Sequence, residues 1–286
     1  MSGGCEESQS GASLFFSNPL MSDVEADWTP VHDAAANGRT QTLRRLVAQG
    51  ACVNLNTLDR VTPLHGACVR GHAASVKILL QHGANVNSST LDGKTALSEA
   101  CGQGHVTCVS LLLQHGADPL GGDRASSPMH VAAAKGYPEC IESLAQHGAD
   151  VDHNLDQLGT PLHIACFNQQ LTCVKKLLQL GASANIDASG ESPLHVAARA
   201  SCPETVSLLL EHGADASPQN PEGKRPADLA APDGAVEKLL MQSGGVASLM
   251  HLCRLHIRTA LGKHRLRYIP RLHLPMLLKN YLLWKA

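Results

Sequence analysis

Hydrophobic and polar positions follow one another in blocks that repeat along most of the chain. Each block holds a run of small residues, a polar turn and a leucine-rich run such as Val76-Lys-Ile-Leu-Leu80. Apolar residues three and four positions apart predict helices that bury one face. The pattern therefore predicts pairs of short helices, the first built mainly from small residues and the second mainly from leucine.

Two short sequence signals accompany each helix pair. A Thr or Ser, mostly followed by Pro, precedes the first helix, and a Gly-Ala pair follows the second. A hydroxyl can cap a helix, Pro fits the first helical turn, and a left-handed glycine can end a helix. The openers, 32 or 33 residues apart, are Thr29, Thr62, Thr95, Ser127, Thr160 and Ser192. The glycines are Gly50, Gly83, Gly116, Gly148, Gly181 and Gly213.

This unit resembles the ankyrin repeat, whose period and signature are matched by segments such as Thr62-Pro-Leu-His65. Six repeats match, and a seventh, weaker unit runs from Glu222 to Ala230 before Pro232 interrupts it. The resemblance implies an all-α fold, an ankyrin-repeat solenoid in which adjacent repeats bury each other's apolar faces. We expect it to occupy residues 27–242, with the seventh unit as a degenerate C-terminal cap.

Sixteen histidines and ten cysteines raise the question of metal or nucleophilic chemistry. Eleven histidines are locked to the repeat, and six cysteines form two registers: Cys68, Cys101 and Cys166, and Cys108, Cys140 and Cys173. Equivalent positions of successive repeats stack along a solenoid and do not gather into a tetrahedral site. We therefore expect structural histidines, buried thiols that act as small hydrophobes, and no catalytic residue, metal or cofactor.

The charge is unevenly distributed. From Ser248 to the last residue there are eight Lys or Arg and no Asp or Glu, a formal charge of +8; the remainder, with 15 basic and 25 acidic residues, carries −10. Such asymmetry favours a second functional unit. No apolar run of about 18 residues and no leader pattern occurs, so we expect a cytoplasmic protein. A basic tail also fits membrane or nucleic-acid binding, but neither explains its ordered spacing, so we expect neither partner.

Residues 246–286, which follow Gly244-Gly245, predict three short helices. Ser248 can cap the first helix, a second is expected around Leu266 to Leu272, and Leu274-Pro275 opens the third. A unit this small buries little core alone and needs a partner or must dock on the repeats. One face of the first helix carries Leu249, Leu252, Cys253 and Ile257.

The spacing resembles that of a SOCS box, which links substrate receptors to elongin B, elongin C and a cullin scaffold. The elongin-binding pattern of that box is a small residue, Leu, three variable residues, Cys, three variable residues and an aliphatic residue. Ser248, Leu249, Cys253 and Ile257 match it. The resemblance implies that Leu249 enters a pocket of elongin C with Cys253 beside it.

The cullin-5 motif of such boxes is Leu-Pro, a hydrophobic residue, then Pro. Here the sequence is Leu274-Pro275-Met276, with Leu277 in place of the last Pro. The resemblance implies that Leu274, Pro275 and Met276 contact cullin-5, which carries a RING subunit.

Ankyrin repeats followed by a SOCS box resemble the ankyrin repeat and SOCS box family, over residues 27–286. The stretches Ser17–Met21, Gly223–Pro226 and Cys173–Leu178 are most similar to the member that binds creatine kinase. The resemblance implies a non-catalytic substrate receptor of a ubiquitin ligase, with creatine kinase as its target. The alternative is a scaffold or inhibitor that sequesters its target without ubiquitination.

The target should contact surfaces that packing leaves free. In an ankyrin stack these are the finger loops between repeats and the exposed side of the first helices, which form a concave face. An N-terminal tail, residues 1–26, adds an aromatic pair that either anchors the target or packs on the first repeat near Trp28. The candidates are Phe15, Phe16, Leu58, Asp59, Arg60, Arg70, Leu91, Asp92, Asp123, Arg124, Gln157 and Leu158.

Overall fold

The computed structural model describes residues 28–121, 127–156, 158–243, 256–258, 260–262 and 268–283. Over this part of the chain the regular elements are helices, which confirms the all-α prediction. In order they are α1 (Pro30–Ala36), α2 (Thr40–Ala48), α3 (Pro63–Val69), α4 (Ala73–Gln81), α5 (Ala96–Gly102), α6 (Val106–Gln114), α7 (Pro128–Lys135), α8 (Pro138–Gln146), α9 (Pro161–Phe167), α10 (Leu171–Leu180), α11 (Pro193–Arg199), α12 (Pro203–Glu211), α13 (Pro226–Leu229), α14 (Ala235–Ser243) and α15 (Met276–Leu283).

The first helix of most repeats begins as the sequence predicts. At α3, His65 N donates to Thr62 Oγ1 (3.4 Å), and Thr62 N donates back to His65 Nδ1 (3.2 Å). This reciprocal arrangement satisfies two backbone donors that the helix itself leaves unpaired. Ser127 is the exception: its backbone (φ −52°, ψ 120°) does not aim the hydroxyl at the start of α7, so the predicted cap is absent there.

The second helices end at the predicted glycines. The glycines of all six Gly-Ala pairs have φ between 81° and 98°. This left-handed conformation carries little steric cost for glycine because glycine has no Cβ. Each helix pair therefore turns back at a fixed position, and successive pairs stack with first helices on first helices and second on second.

Small residues allow the first helices to approach closely, and the leucine runs fill the space between the two layers. Ala67 and Leu79 are fully buried in one repeat. The six repeat-locked cysteines are likewise fully buried, which confirms the structural prediction for the thiols. Burial raises the pKa of the Cys108 thiol to about 11, because desolvation disfavours the thiolate.

The signature histidines join consecutive repeats. His65 Nε2 lies 3.2 Å from the carbonyl oxygen of Lys94, in the finger loop of the next repeat. His32 reaches Val61 O (3.1 Å) in the same way, and His163 reaches Glu191 O (3.1 Å). Each ring thus links its own helix start to its neighbour, which confirms the structural interpretation of these histidines.

The seventh repeat is degenerate, as predicted. Helix α13 has only four residues, and Ala230 after it is extended (ψ 153°). Asp233 then takes φ 58° before α14 begins. His195 Nε2, at the end of the histidine series, has no hydrogen-bond partner within the described residues. The series of signature histidines therefore ends with the sixth repeat, while α13 still packs on α11 and α14 on α12.

The C-terminal box has its own small apolar cluster, centred on Ile269 and Leu282 and separate from the core of the repeats. The second helix expected around Leu266 to Leu272 is, in its described part, only a 3-10 turn at Ile269–Arg271. Pro270 explains the difference, because it has no N–H to continue a helix.

Candidate partner-binding surfaces

A groove lies on the first-helix side of repeats four to six. The positions four and seven residues after each opening Thr or Ser share a helix face, because they are three residues apart. In these repeats they hold Val131 and Ala134, Ile164 and Phe167, and Val196 and Arg199. All six line a cavity of about 660 Å³.

Finger loops form the opposite wall of the groove. Leu158, Ala188 and Pro221 come from three successive loops and line the same cavity. Phe167 is 71% exposed and Leu158 is 47% exposed, so large apolar surface faces the solvent here. Apolar surface gathered in a concavity is typical of a binding site.

One end of the groove is polar. Arg199 and Glu191 form a two-point ion pair, in which Nη1 lies 3.0 Å from Oε2. Asn220 Nδ2 also donates to Glu191 Oε1 (3.2 Å). The hydrogen bond from Arg199 lowers the pKa of the Glu191 carboxyl, with Asn220 acting in the same direction. These charges are therefore already paired, and the groove offers a partner mainly apolar contact.

Two imidazoles also line the groove, and both are engaged in the fold. His130 Nε2 lies 2.9 Å from Gly159 O, and His163 Nε2 lies 3.1 Å from Glu191 O. Desolvation lowers the pKa of His130 to about 4. Across the described residues, no three His, Cys, Asp or Glu side chains converge in a way that could hold a metal ion. Both imidazoles therefore serve to connect neighbouring repeats.

The box presents a second apolar surface. Ile257 is 40% exposed, whereas its neighbour Arg258 is buried. Met276 and Leu277, at the start of α15, are 72% and 84% exposed. Leu274 is half-buried and packs against the Ile269 and Leu282 cluster.

Comparisons with known proteins agree with this two-part architecture. The family model for ankyrin repeats matches three times, over residues 10–90, 87–154 and 129–220, and that for the SOCS box matches residues 245–283. Ankyrin repeat and SOCS box protein 9 of Mus musculus is 54% identical over 94% of this chain and 93% of its own length. Ankyrin repeat and SOCS box protein 5 of Homo sapiens is 54% identical over 91% of this chain and 79% of its own length.

This chain belongs to the ankyrin repeat and SOCS box family.

Solved structures support the same assignment for the repeats of this family member. The ankyrin repeat domain of human ASB11 aligns with a TM-score of 0.72 and 45% identity, covering 77% of this chain and all of that domain. The ankyrin repeat domain of Bcl-3 aligns with a TM-score of 0.65 and 30% identity, over 74% of this chain and 97% of that domain. The SOCS box of this chain and its membership of the family make it a substrate-recognition adaptor of a ubiquitin ligase.

The structure brings only some of the predicted target-binding residues of this adaptor together. Leu158 lines the groove. Leu58 and Leu91 are exposed (72% and 64%) on the first two finger loops, which are joined by a hydrogen bond from Leu91 N to Asp59 O (3.0 Å). Arg60, Arg70 and Asp92 are also exposed on these N-terminal repeats. Target binding by all of these residues stays a prediction.

Sequence reasoning missed the residues that form the groove floor. The sequence pattern did not single out Ile164, Phe167 and Val196, because their neighbours in the chain are buried repeat positions. One signal was available: the position of Phe167 holds Val69 in the second repeat and Gly102 in the third, so a large aromatic side chain there is not required by packing.

Several predicted site residues lie outside the described residues. For the target they are Phe15, Phe16, Asp123, Arg124 and Gln157. For elongin they are Ser248, Leu249, Leu252 and Cys253. Among the described helices, none has both the length and the apolarity needed to cross a bilayer.

Proposed function

We propose that this chain brings a protein target to a ubiquitin ligase built on elongin B, elongin C and cullin-5, and that the concave groove holds the target. The exposed apolar surface of Phe167 and Leu158 in a groove whose charges are already paired supports this proposal most directly. The chain then needs no catalytic group, since an enzyme recruited by the ligase transfers ubiquitin. The contribution of the chain is proximity and orientation.

Creatine kinase is the first target to test, because of the resemblance in sequence to the member that binds it. Phe167→Ser should weaken the binding of purified creatine kinase about 30-fold, since a central aromatic anchor contributes about 2 kcal/mol or more. Met241→Ser is the matched control: Met241 is also apolar and 66% exposed, but lies on α14 away from the groove. Equal affinities of the two variants would contradict the groove as the target site.

The N-terminal tail is the second part of the proposed target site. Deletion of residues 1–26, which contain Phe15 and Phe16, should weaken target binding and leave elongin binding intact. Unchanged target affinity would remove the tail from the proposal.

The ligase side is tested on the box. Leu249→Ala with Cys253→Ala should abolish co-purification of elongin B and C and ubiquitination of the target, while target binding stays at the wild-type level. Survival of elongin co-purification would show that the assignment of this helix is wrong.

The choice of cullin is tested separately on the exposed start of α15. Met276→Asp should reduce capture of cullin-5 by the chain–elongin complex without loss of elongin, because Met276 is 72% exposed and outside the elongin-binding face. If the reconstituted ligase binds creatine kinase but transfers no ubiquitin to it, the alternative of a sequestering scaffold is the better description.

We also place the protein in the cytoplasm. The six repeat-locked cysteines are buried as free thiols, as is usual in a reducing compartment. Fractionation of cells that express a tagged chain tests the location, and recovery in a secretory fraction would contradict it.

A further inference from the structure

Arg258 is the one Lys or Arg that is buried among the described residues, with 8% of its surface exposed. It directly follows Ile257 in a helical segment of the box, residues 256–258. Successive residues of a helix point about 100° apart, so the two side chains face different surroundings. Ile257 faces solvent, and Arg258 faces the repeats.

The guanidinium of Arg258 joins two helix ends that are far apart in sequence. Nη2 donates to the carbonyl oxygens of Leu178 (2.9 Å) and Gln179 (3.3 Å), in the last turn of α10. Nη1 donates to Leu282 O (2.6 Å), in the last turn of α15. Carbonyls at a helix C-terminus lack helical partners and carry the negative end of the helix dipole. The positive charge of Arg258 therefore stabilises the C-terminal carbonyls of both helices and connects the box to the fifth repeat.

A directional contact is needed at this boundary. The apolar cluster of the box around Ile269 and Leu282 is separate from the core of the repeats. Hydrophobic burial is non-directional, whereas the planar fork of an arginine fixes the direction of several hydrogen bonds at once. The bonds of Arg258 therefore define how the box is rotated about its attachment.

We propose that Arg258 is a positioning residue that fixes the orientation of the C-terminal box on the repeat stack. It keeps the Ile257 face open to a partner and sets the distance and angle between the target groove and the ligase. The consequence for ubiquitin transfer rests on the proposed function, whereas the orientation itself does not.

Small-angle X-ray scattering of the full chain, alone and bound to elongin B and C, tests the orientation. Wild type and the control Arg271→Met, an exposed arginine of the same box, should each fit one rigid arrangement. Arg258→Met, similar in length but without donors, should give a larger radius of gyration and require several arrangements. Arg258→Lys keeps the charge but not the fork, so it should show the same change with the least risk to folding. Wild-type scattering from both Arg258 variants would overturn the proposal.

Two further measurements separate positioning from simple loss of structure. Elongin affinity and creatine kinase affinity should change less than about twofold in Arg258→Lys, since the residue faces neither partner. The ubiquitinated lysines of creatine kinase, mapped by mass spectrometry, should spread from the wild-type set to additional sites. An unchanged set of lysines, together with altered scattering, would overturn the part of the proposal that concerns ubiquitin transfer. If wild type binds no elongin, the proposed function fails, but scattering of the free chain still tests Arg258.

Discussion

Acid should destabilise the repeat stack through its signature histidines, and His130 gives the clearest case. Its Nε2 lies 2.9 Å from Gly159 O, an acceptor, so this nitrogen carries the proton and Nδ1 is the basic site. Nδ1 is buried and has no partner within the described residues. Protonation would therefore create a buried charge whose new N–H has no acceptor.

The size of the effect follows from the pKa. Desolvation lowers the pKa of His130 from 6.5 to about 4, while an unfolded histidine titrates near 6.5. The folded pKa is the lower one, so the stabilisation is complete above pH 6.5 and is lost as the pH falls towards 4. Linkage gives a loss of about 2 kcal/mol in the free energy of unfolding between pH 7.5 and pH 5. The lowered pKa values of His32, His65 and His163 act in the same direction.

Urea unfolding, followed by circular dichroism from pH 5 to pH 8, measures this loss. His130→Gln keeps a donor that can reach Gly159 O but has no titrating group, so about 2 kcal/mol of the pH dependence should vanish. His82→Gln removes an imidazole from an exposed site and serves as the control. If His130→Gln and wild type lose stability in parallel as the pH falls, the buried neutral ring is not the cause.

Two further predictions concern packing. Ser75→Cys should raise the free energy of unfolding by about 1 kcal/mol, because the buried Ser75 hydroxyl has no partner within the described residues. A cysteine, Cys108, already fills the equivalent buried position one repeat later. A loss of stability of the variant in urea unfolding would refute this prediction. Gly104→Ala should lower the midpoint of thermal unfolding more than Gly116→Ala does. Both glycines have positive φ, but of the two only Gly104 lies where an added Cβ would overlap a side chain, the ring of Tyr137. Equal midpoints in thermal unfolding would contradict the expected overlap.

Local signals allowed the repeat fold to be predicted from the sequence. These signals act within one helix pair, as Thr62 does with His65 and as Gly83 does at a helix end. Their pattern can therefore be recognised from residues that are close together in the sequence. The same regularity identified the structural histidines and cysteines, because a fixed period places equivalent side chains in equivalent environments. Ser127 shows the limit, since its sequence matches the signature but its backbone does not support the cap.

The tertiary structure decided where surfaces form and how the two parts meet. The groove needs side chains from three repeats, so Ile164, Phe167 and Val196 became visible as one surface only when the stack placed them side by side. Arg258 looks in the sequence like one more charge of a basic tail, yet its acceptor Leu178 lies 80 residues away. The sequence by itself determined the repeats and the family. Contacts between distant residues determined the groove and the attachment of the box to the repeats, because no local pattern encodes which distant backbone groups a side chain will contact.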